Sequence, residues 1–168
     1  MKNALIIIAL LGLCGCVAPN FQRPPTHMLQ VWNPTELDPY RKSGTGVVAG
    51  QAFLKTQGGD VKVAAGEEVS LVPATPFMRE ALRHFQQNIE PVEYTAAVRS
   101  EMNNVIKRTT ADAQGNFEFH GVAPGSYLLQ VSITWKVPSA YGIQTTGGLV
   151  VKEVEIRDGE NSRVMLTR

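Results

Sequence analysis

The chain has 168 residues, enough for one domain with a substantial core. Its 16 basic and 15 acidic side chains nearly balance, which argues against a nucleic-acid-binding protein and against a polybasic membrane-binding surface. Both cysteines, Cys14 and Cys16, lie in the first 16 residues. We therefore expect no disulfide and no cysteine-ligated metal site in the folded part.

Residues 1–15 are predicted to be a signal peptide. Lys2 supplies a positive charge, and residues 4–13 form an apolar stretch too short to span a bilayer as a helix. The following Leu13-Cys14-Gly15-Cys16 resembles a bacterial lipobox, in which a small residue precedes the cysteine that receives the lipid. Cys16 is the predicted lipidation site, because Leu13 before Cys14 is not small. An ordinary secretory signal cleaved nearby is the alternative.

The predicted lipid also indicates where the protein resides. Several acyl chains on one residue give stable anchoring, since each buried methylene adds about 0.8 kcal/mol. Val17 follows Cys16, and the acidic residue that retains many lipoproteins in the inner membrane is missing. By resemblance to that sorting pattern, we predict a lipid anchor in the outer membrane, with the protein on the periplasmic face.

Residues 16–45 are predicted to be a proline-rich tether. Prolines fix φ and remove hydrogen-bond donors, so this segment should be extended and semi-rigid. The prolines are Pro19, Pro24, Pro25, Pro34 and Pro39. The segment also carries large apolar residues, which are Phe21, Met28, Leu29, Val31, Trp32 and Tyr40. We expect some of them to pack on the protein's own domain; a partner-binding peptide is the alternative.

Residues 46–168 alternate apolar and polar side chains in short runs separated by glycines, which predicts an all-β domain. Thr75-Pro76 favours a helix start, so we predict an amphipathic helix from Pro76 to about Gln87. Its predicted apolar face is Phe77, Met78, Ala81, Leu82 and Phe85, with Arg79, Glu80, Arg83 and Gln86 opposite. The spacing of Tyr94, Val98, Met102 and Val105 favours a second helix, and an irregular excursion is the alternative. The helical insertion spans about residues 76–105.

The most regular stretch runs from residue 112 to residue 131. Asp112 and Gly115 bracket a predicted tight turn. Phe117 and Phe119 then lie on one face of a predicted strand, and alternation resumes at Tyr127 after a break at Pro124-Gly125. We interpret the stretch as the central antiparallel pair of a small β-sandwich.

This stretch resembles the carboxypeptidase regulatory-like domain. The matching positions are Thr110, Asp112, Gly115, Phe117, Phe119, Val122, Pro124, Gly125, Tyr127, Leu129 and Val131. The resemblance implies a transthyretin-like (prealbumin-like, Ig-like) antiparallel β-sandwich with a short helical insertion. It implies no function, because this fold hosts transport, adhesive, structural and enzymatic roles, and no catalytic residue carries over.

The last third of the chain is predicted to contain a loop and a hairpin. Residues 138–148 are rich in glycine, serine and threonine, which predicts a loop. Residues 149–156 and 162–166 are predicted to pair as a terminal hairpin around Asp158-Gly159.

The sequence predicts no catalytic residue, no metal site and no cofactor. His27, His84 and His120 are scattered and lack metal-ligand spacing, and the chain has no G-x-S-x-G motif. His120 falls on the polar side of its strand and is expected to be solvated. We therefore predict a protein that is not an enzyme.

The predicted function is that of a structural or protein-binding module in the cell envelope, with an envelope protein or glycan as partner. Trp135, Tyr141, Thr145 and Thr146 form the candidate binding surface, because aromatic residues on glycine-rich loops offer rigid contact area. A core position for Trp135 is equally compatible with the pattern. The alternative function is a periplasmic small-molecule carrier or hydrolase with a site beside the helical insertion. The oligomeric state is left open.

Overall fold

The computed structural model describes residues 30–87 and 94–168. The predicted signal peptide, Cys16 and the first part of the predicted tether lie outside these ranges. Within them, no helix is both long enough and apolar enough to cross a bilayer.

A 3-10 helix, two α-helices and eight strands make up the described residues. The 3-10 helix is Pro34–Arg41, and the α-helices are α1 (Pro76–Gln86) and α2 (Ala96–Val105). The strands are β1 (Gly46–Lys55), β2 (Val61–Val63), β3 (Glu68–Pro73), β4 (Lys107–Thr110), β5 (Asn116–Val122), β6 (Gly125–Ser139), β7 (Gly142–Ile156) and β8 (Asn161–Leu166).

The strands form two four-stranded sheets that face each other. In the first sheet, β1 pairs antiparallel with β5 and β2 and parallel with β8. The second sheet has the order β4-β3-β6-β7, and all its pairs are antiparallel. The β-sandwich predicted from the alternating pattern is therefore confirmed.

The core lies between the two sheets. Phe117 and Phe119 point inward from the first sheet, as predicted, and Tyr127 does so from the second. Both sheets contribute buried aliphatic side chains, which are Val48, Leu54, Val69, Leu71, Val122, Leu129, Val131, Ile133, Val150, Ile156, Val164 and Leu166. The Tyr127 hydroxyl donates a hydrogen bond to the Ala123 carbonyl at 2.9 Å, so the one polar atom of this buried ring is satisfied.

The predicted pairing of the central stretch is wrong. β5 pairs with β1 in the first sheet, whereas β6 pairs with β3 and β7 in the second. Pro124-Gly125 is thus a corner between sheets rather than a hairpin turn. The alternation of apolar and polar residues shows which side chains face inward. The same alternation is expected whether the two strands are joined by a hairpin turn or by a corner between sheets.

The predicted terminal hairpin is also wrong. β7 is the edge strand of the second sheet, and β8 crosses to the first sheet, where it runs parallel to β1. The turn at Asp158-Gly159 joins the two sheets, and Thr45 Oγ1 donates to Asp158 Oδ1 at 2.6 Å. Val150 and Val164 are both buried, because inward orientation does not depend on which strand is the neighbour.

Both predicted helices are present in the insertion. Thr75 caps α1, since its Oγ1 accepts a hydrogen bond from the Met78 N–H at 3.3 Å. Met78 and Leu82 pack on the outer face of the second sheet, against Val72 and Leu128. The helices therefore cover one face of the sandwich.

The predicted polar face of α1 is only partly correct. Glu80 is buried and Phe85 is 64% exposed, the reverse of the prediction. The Glu80 carboxylate accepts a hydrogen bond from the Gln30 N–H at 2.7 Å, and Trp32 packs edge-on against Phe77 with ring centroids 5.2 Å apart. The chain before the 3-10 helix thus covers the side of α1 that the sequence pattern assigned to solvent.

Candidate functional site

β6 and β7 continue as a two-stranded ribbon beyond the rest of the second sheet. They pair residue by residue from Gly125 opposite Ile156 to Ser139 opposite Gly142. β3 pairs with β6 only as far as Val131. Residues 132–149, called the ribbon below, therefore extend about 27 Å past the last β3 pair at Val131, given a rise of about 3.4 Å per residue.

The predicted loop at residues 138–148 is wrong, because only Ala140 and Tyr141 lie between the two strands. Glycines and threonines are typical of loops, but here they belong to β7. Gly147 has a φ of 105°, and a Cβ at this position would clash with the Ile133 carbonyl oxygen and lie 2.9 Å from the Trp135 ring. Gly147 thus allows the close approach of β7 to β6 and does not belong to a loop.

The four predicted binding residues all lie on the ribbon but in different environments. Trp135 is half-buried and packs against the core at the base of the ribbon. Tyr141 lies in the two-residue turn at the tip and is 95% exposed. Thr145 and Thr146 are exposed on β7, opposite Lys136 and Trp135.

Ile143, which the sequence pattern did not single out, is 76% exposed next to the tip. Ile143 lies opposite the exposed Pro138, so these two side chains share one face of the ribbon. With Tyr141 they form an apolar tip. The sequence feature that could have identified it is a large aliphatic residue two positions after the turn, in a segment interpreted as a loop.

The 3-10 helix and the residues after it pack at the opposite end of the sandwich. Tyr40 lies edge-on to Tyr127 with ring centroids 5.1 Å apart, and its hydroxyl donates to the Ser126 carbonyl at 3.2 Å. Burial raises the pKa of Tyr40, and it raises the pKa of Tyr127 to about 12. Arg41 adds an ion pair with Glu101 of α2. Ser126 lies at the start of β6 and Tyr141 just beyond its end, so this packed segment and the apolar tip are far apart along the strand.

The outer face of the first sheet carries a polar trough. Val47 and Ala49 of β1 form its floor. Its sides are Asn116 and Glu118 of β5 and Asn161, Ser162 and Arg163 of β8, around an open volume of about 740 Å³. The register places Glu118 and Arg163 on either side of Ala49, so opposite charges flank a small residue.

With the site geometry known, the chain can be compared with known proteins. No protein-family model matches it, and no curated protein matches it significantly in sequence. A Pseudomonas aeruginosa protein proposed to bind carbohydrate matches in structure with a TM-score of 0.72 and 24% identity, over 84% of this chain and 100% of that one. The fold is a transthyretin-like β-sandwich.

Two pilins also overlap with this transthyretin-like sandwich, but more loosely. The major pilin subunit of Bacillus cereus has a TM-score of 0.40 and 15% identity, over 74% of this chain and 29% of the pilin. The minor pilin of Streptococcus agalactiae has a TM-score of 0.39 and 17% identity, over 75% of this chain and 44% of the pilin. The chain spans less than half of either pilin, and overlaps this loose carry no functional argument.

A second concave feature of the sandwich lies beside the helical insertion, where the alternative function would require a site. It is an open apolar groove of about 360 Å³ between the helices and the outer face of the second sheet. Its lining is Val72, Met78, Ala81, Leu82, Phe85, Tyr94, Met102, Ile106, Leu128, Gln130 and Leu149.

Of the described residues, His84 and His120 do not line this groove. His84 is buried, with its Nε2 3.6 Å from a Glu80 carboxylate oxygen. His120 is solvent-exposed, as predicted, with its Nε2 3.3 Å from Glu118. Within residues 30–87 and 94–168, no group of three or more histidine, cysteine, aspartate or glutamate side chains is placed to hold a metal ion.

Proposed function

We propose that this chain is a non-catalytic binding module of the cell envelope whose ribbon contacts an envelope protein. Lipidation of Cys16 would anchor it in the outer membrane on the periplasmic face. The observation that carries the proposal is the apolar tip, where Tyr141 is 95% exposed and Ile143 is 76% exposed. Large apolar side chains exposed together commonly mark interaction sites.

The ribbon is suited to binding because its backbone is ordered by pairing. Fifteen consecutive residue pairs join β6 to β7, and Trp135 fixes the base of the ribbon on the core. A tyrosine and an isoleucine held on a paired scaffold lose little conformational entropy on binding. The tip can therefore form an interface core, with Thr145 and Thr146 at its polar rim.

The position of the tether supports the same role. Gly44 and Tyr40 pack where β6 begins, through the hydrogen bonds from Gly44 N–H to the Gly121 carbonyl and from Tyr40 to Ser126. The ribbon ends at the other end of β6. From Cys16 to Gln30 the chain can span at most about 50 Å. A module anchored in this way would hold its binding tip on the side away from the packed tether, within reach of neighbouring envelope proteins.

The test is co-purification from detergent-solubilised envelopes with the full chain as bait. Tyr141→Ser is expected to lower the yield of the specific partner at least ten-fold, because buried aromatic anchors at interfaces are worth about 2 kcal/mol or more. Val61→Ser is the matched control, since Val61 is 56% exposed on β2, a strand of the first sheet, whereas the ribbon belongs to the second. An unchanged yield from folded Tyr141→Ser protein would refute the proposal.

A second candidate function is glycan binding in the polar trough. Amide, carboxylate and guanidinium groups facing a common floor can donate to and accept from sugar hydroxyls, and the opposite charges of Glu118 and Arg163 favour a neutral ligand over an ion. The carbohydrate role proposed for the Pseudomonas protein is compatible with this candidate, although a likeness at 24% identity supports the fold alone.

The glycan candidate predicts that a tetramer of N-acetylglucosamine shifts the amide resonances of Glu118 and Arg163. Glu118→Gln should weaken binding about ten-fold, since hydrogen bonds to charged groups contribute about 1.5–3 kcal/mol. Val61→Ser should leave the affinity unchanged. If millimolar tetramer moves no resonance of the trough, the candidate is rejected.

A further inference from the structure

We propose that the partner adds an extended strand to the outer edge of β7 between Gly142 and Thr146. This inference rests on the proposed function and specifies how the partner binds. Within residues 30–87 and 94–168, no strand pairs with this edge. Main-chain hydrogen bonds along an open edge provide affinity for an extended segment, and alternate side chains provide specificity.

The register identifies the backbone groups that face outward. Ala74 donates to the Ser126 carbonyl at 2.9 Å, so this even-numbered residue of β6 points toward β3 and away from β7. Antiparallel pairs alternate in direction, and the register between β6 and β7 is unbroken. The pairs Pro138–Ile143 and Lys136–Thr145 therefore direct their backbone groups outward, whereas Gln144 and Thr146 bond to β6.

The two edges of the ribbon differ in how well they are protected from pairing with another strand. On the β6 edge, Pro138 has no N–H to donate and Lys136 carries a charge. Proline and lysine are devices that keep edge strands from pairing. The β7 edge has neither a proline nor a charged residue from Gly142 to Val151. An incoming strand therefore finds an uninterrupted series of donors and acceptors only on β7.

The free part of this edge is short. Gly147 departs from strand geometry with a φ of 105°, the Arg168 guanidinium lies close to Gly148, and Lys152 Nζ donates to the Met165 carbonyl at 3.3 Å. The end of β8 thus lies beside the inner half of β7. What remains, residues 142–146, offers the N–H and C=O groups of Ile143 and Thr145.

This stretch fits a single extended segment of another envelope protein. Such a segment needs about 17 Å of edge, which residues 142–146 provide. Because Ile143 and Thr145 share a ribbon face, we expect the segment to be uncharged and to place an apolar side chain beside Ile143.

Amide hydrogen exchange on the co-purified complex tests the pairing directly. We expect exchange at Ile143 and Thr145 to slow at least 100-fold in the complex. The amides of Gln144 and Thr146 should already be protected in the free chain. Unchanged exchange at Ile143 and Thr145 in the complex would overturn the inference.

Proline substitutions on the two edges provide the matched comparison. Thr145→Pro removes an outward N–H from β7 and should lower partner yield at least ten-fold. Thr145→Val keeps the N–H, so its partner yield should fall far less than that of Thr145→Pro. Lys136→Pro removes an outward N–H from the same rung on the opposite edge and should bind normally.

The outcomes separate this inference from the proposed function. Equal loss in Thr145→Pro and Lys136→Pro would mean that ribbon distortion, not edge pairing, matters. Loss of partner yield in Tyr141→Ser but not in Thr145→Pro would leave the proposed function intact and overturn strand addition. Unchanged partner yield in all of these variants would overturn both the proposed function and strand addition. A complex with the mass of two copies of this chain would overturn the choice of partner.

Discussion

Replacing Tyr127 with alanine is expected to lower the free energy of unfolding by about 3–5 kcal/mol, the range for removing a buried aromatic ring. Tyr127 is 1% exposed and lies where the chain passes from one sheet to the other. Its ring also contacts Tyr40 of the segment before β1. Urea denaturation of the full chain in detergent micelles, followed by tryptophan fluorescence, measures the change.

Tyr127→Phe separates the contribution of the hydroxyl to stability from that of the ring. It keeps the packing and removes the hydrogen bond to Ala123, so the expected loss is about 1 kcal/mol. A loss as large as that of Tyr127→Ala would show that the hydroxyl, rather than ring packing, dominates.

The same variant tests a pH dependence. Burial raises the pKa of Tyr127 to about 12, above the ordinary value of about 10. The free energy of unfolding should be unaffected by this group below pH 10 and should fall between pH 10 and 12, because only the unfolded chain then releases the phenolic proton. Tyr127→Phe should show a shallower fall. A residual fall is expected from Tyr40, whose pKa burial also raises. An identical fall in both proteins would contradict the assignment.

Cys16→Ser is expected to abolish acylation almost completely, which is the largest effect predicted outside the folded domain. Labelled palmitate should no longer enter the protein. The membrane-associated fraction should collapse, because the nearly balanced charge provides no polybasic attraction to lipid. Cell fractionation with labelling measures both.

Cys14→Ser is the matched control for acylation, because it changes a neighbouring thiol in the same segment. It should keep the label and the membrane fraction. Loss of label in Cys14→Ser with retention in Cys16→Ser would reverse the assignment of the anchor, and fractionation with inner-membrane markers would contradict the outer-membrane proposal.

Local physical chemistry made part of the fold predictable. Asp112 Oδ1 accepts hydrogen bonds from the N–H groups of Gln114 and Asn116, both at 2.8 Å, so the turn predicted from Asp112 and Gly115 forms from neighbouring residues alone. The Thr75 cap and the inward orientation of Phe117 also depend only on residues close in sequence. In each case the deciding interaction or periodicity spans only a few residues.

Strand pairing could not be predicted, because it depends on residues far apart in sequence. The alternation around Tyr127 is compatible with either sheet, and the alternation in β8 is compatible with β7 or β1 as the neighbour. The ribbon was mistaken for a loop because Gly147 and Gly148 are typical of loops, whereas their place in β7 depends on contact with β6. The buried Glu80 accepts a hydrogen bond from Gln30, which lies 50 residues earlier in the chain.

Photo-crosslinking in living cells shows whether the ribbon contacts another envelope protein. Benzoylphenylalanine would replace Ile143 at the tip in one strain and Val61 on β2 in another. We expect an adduct with a different envelope protein from position 143 and none from position 61. No adduct from position 143, or the same adduct from both positions, would contradict a binding role for the ribbon.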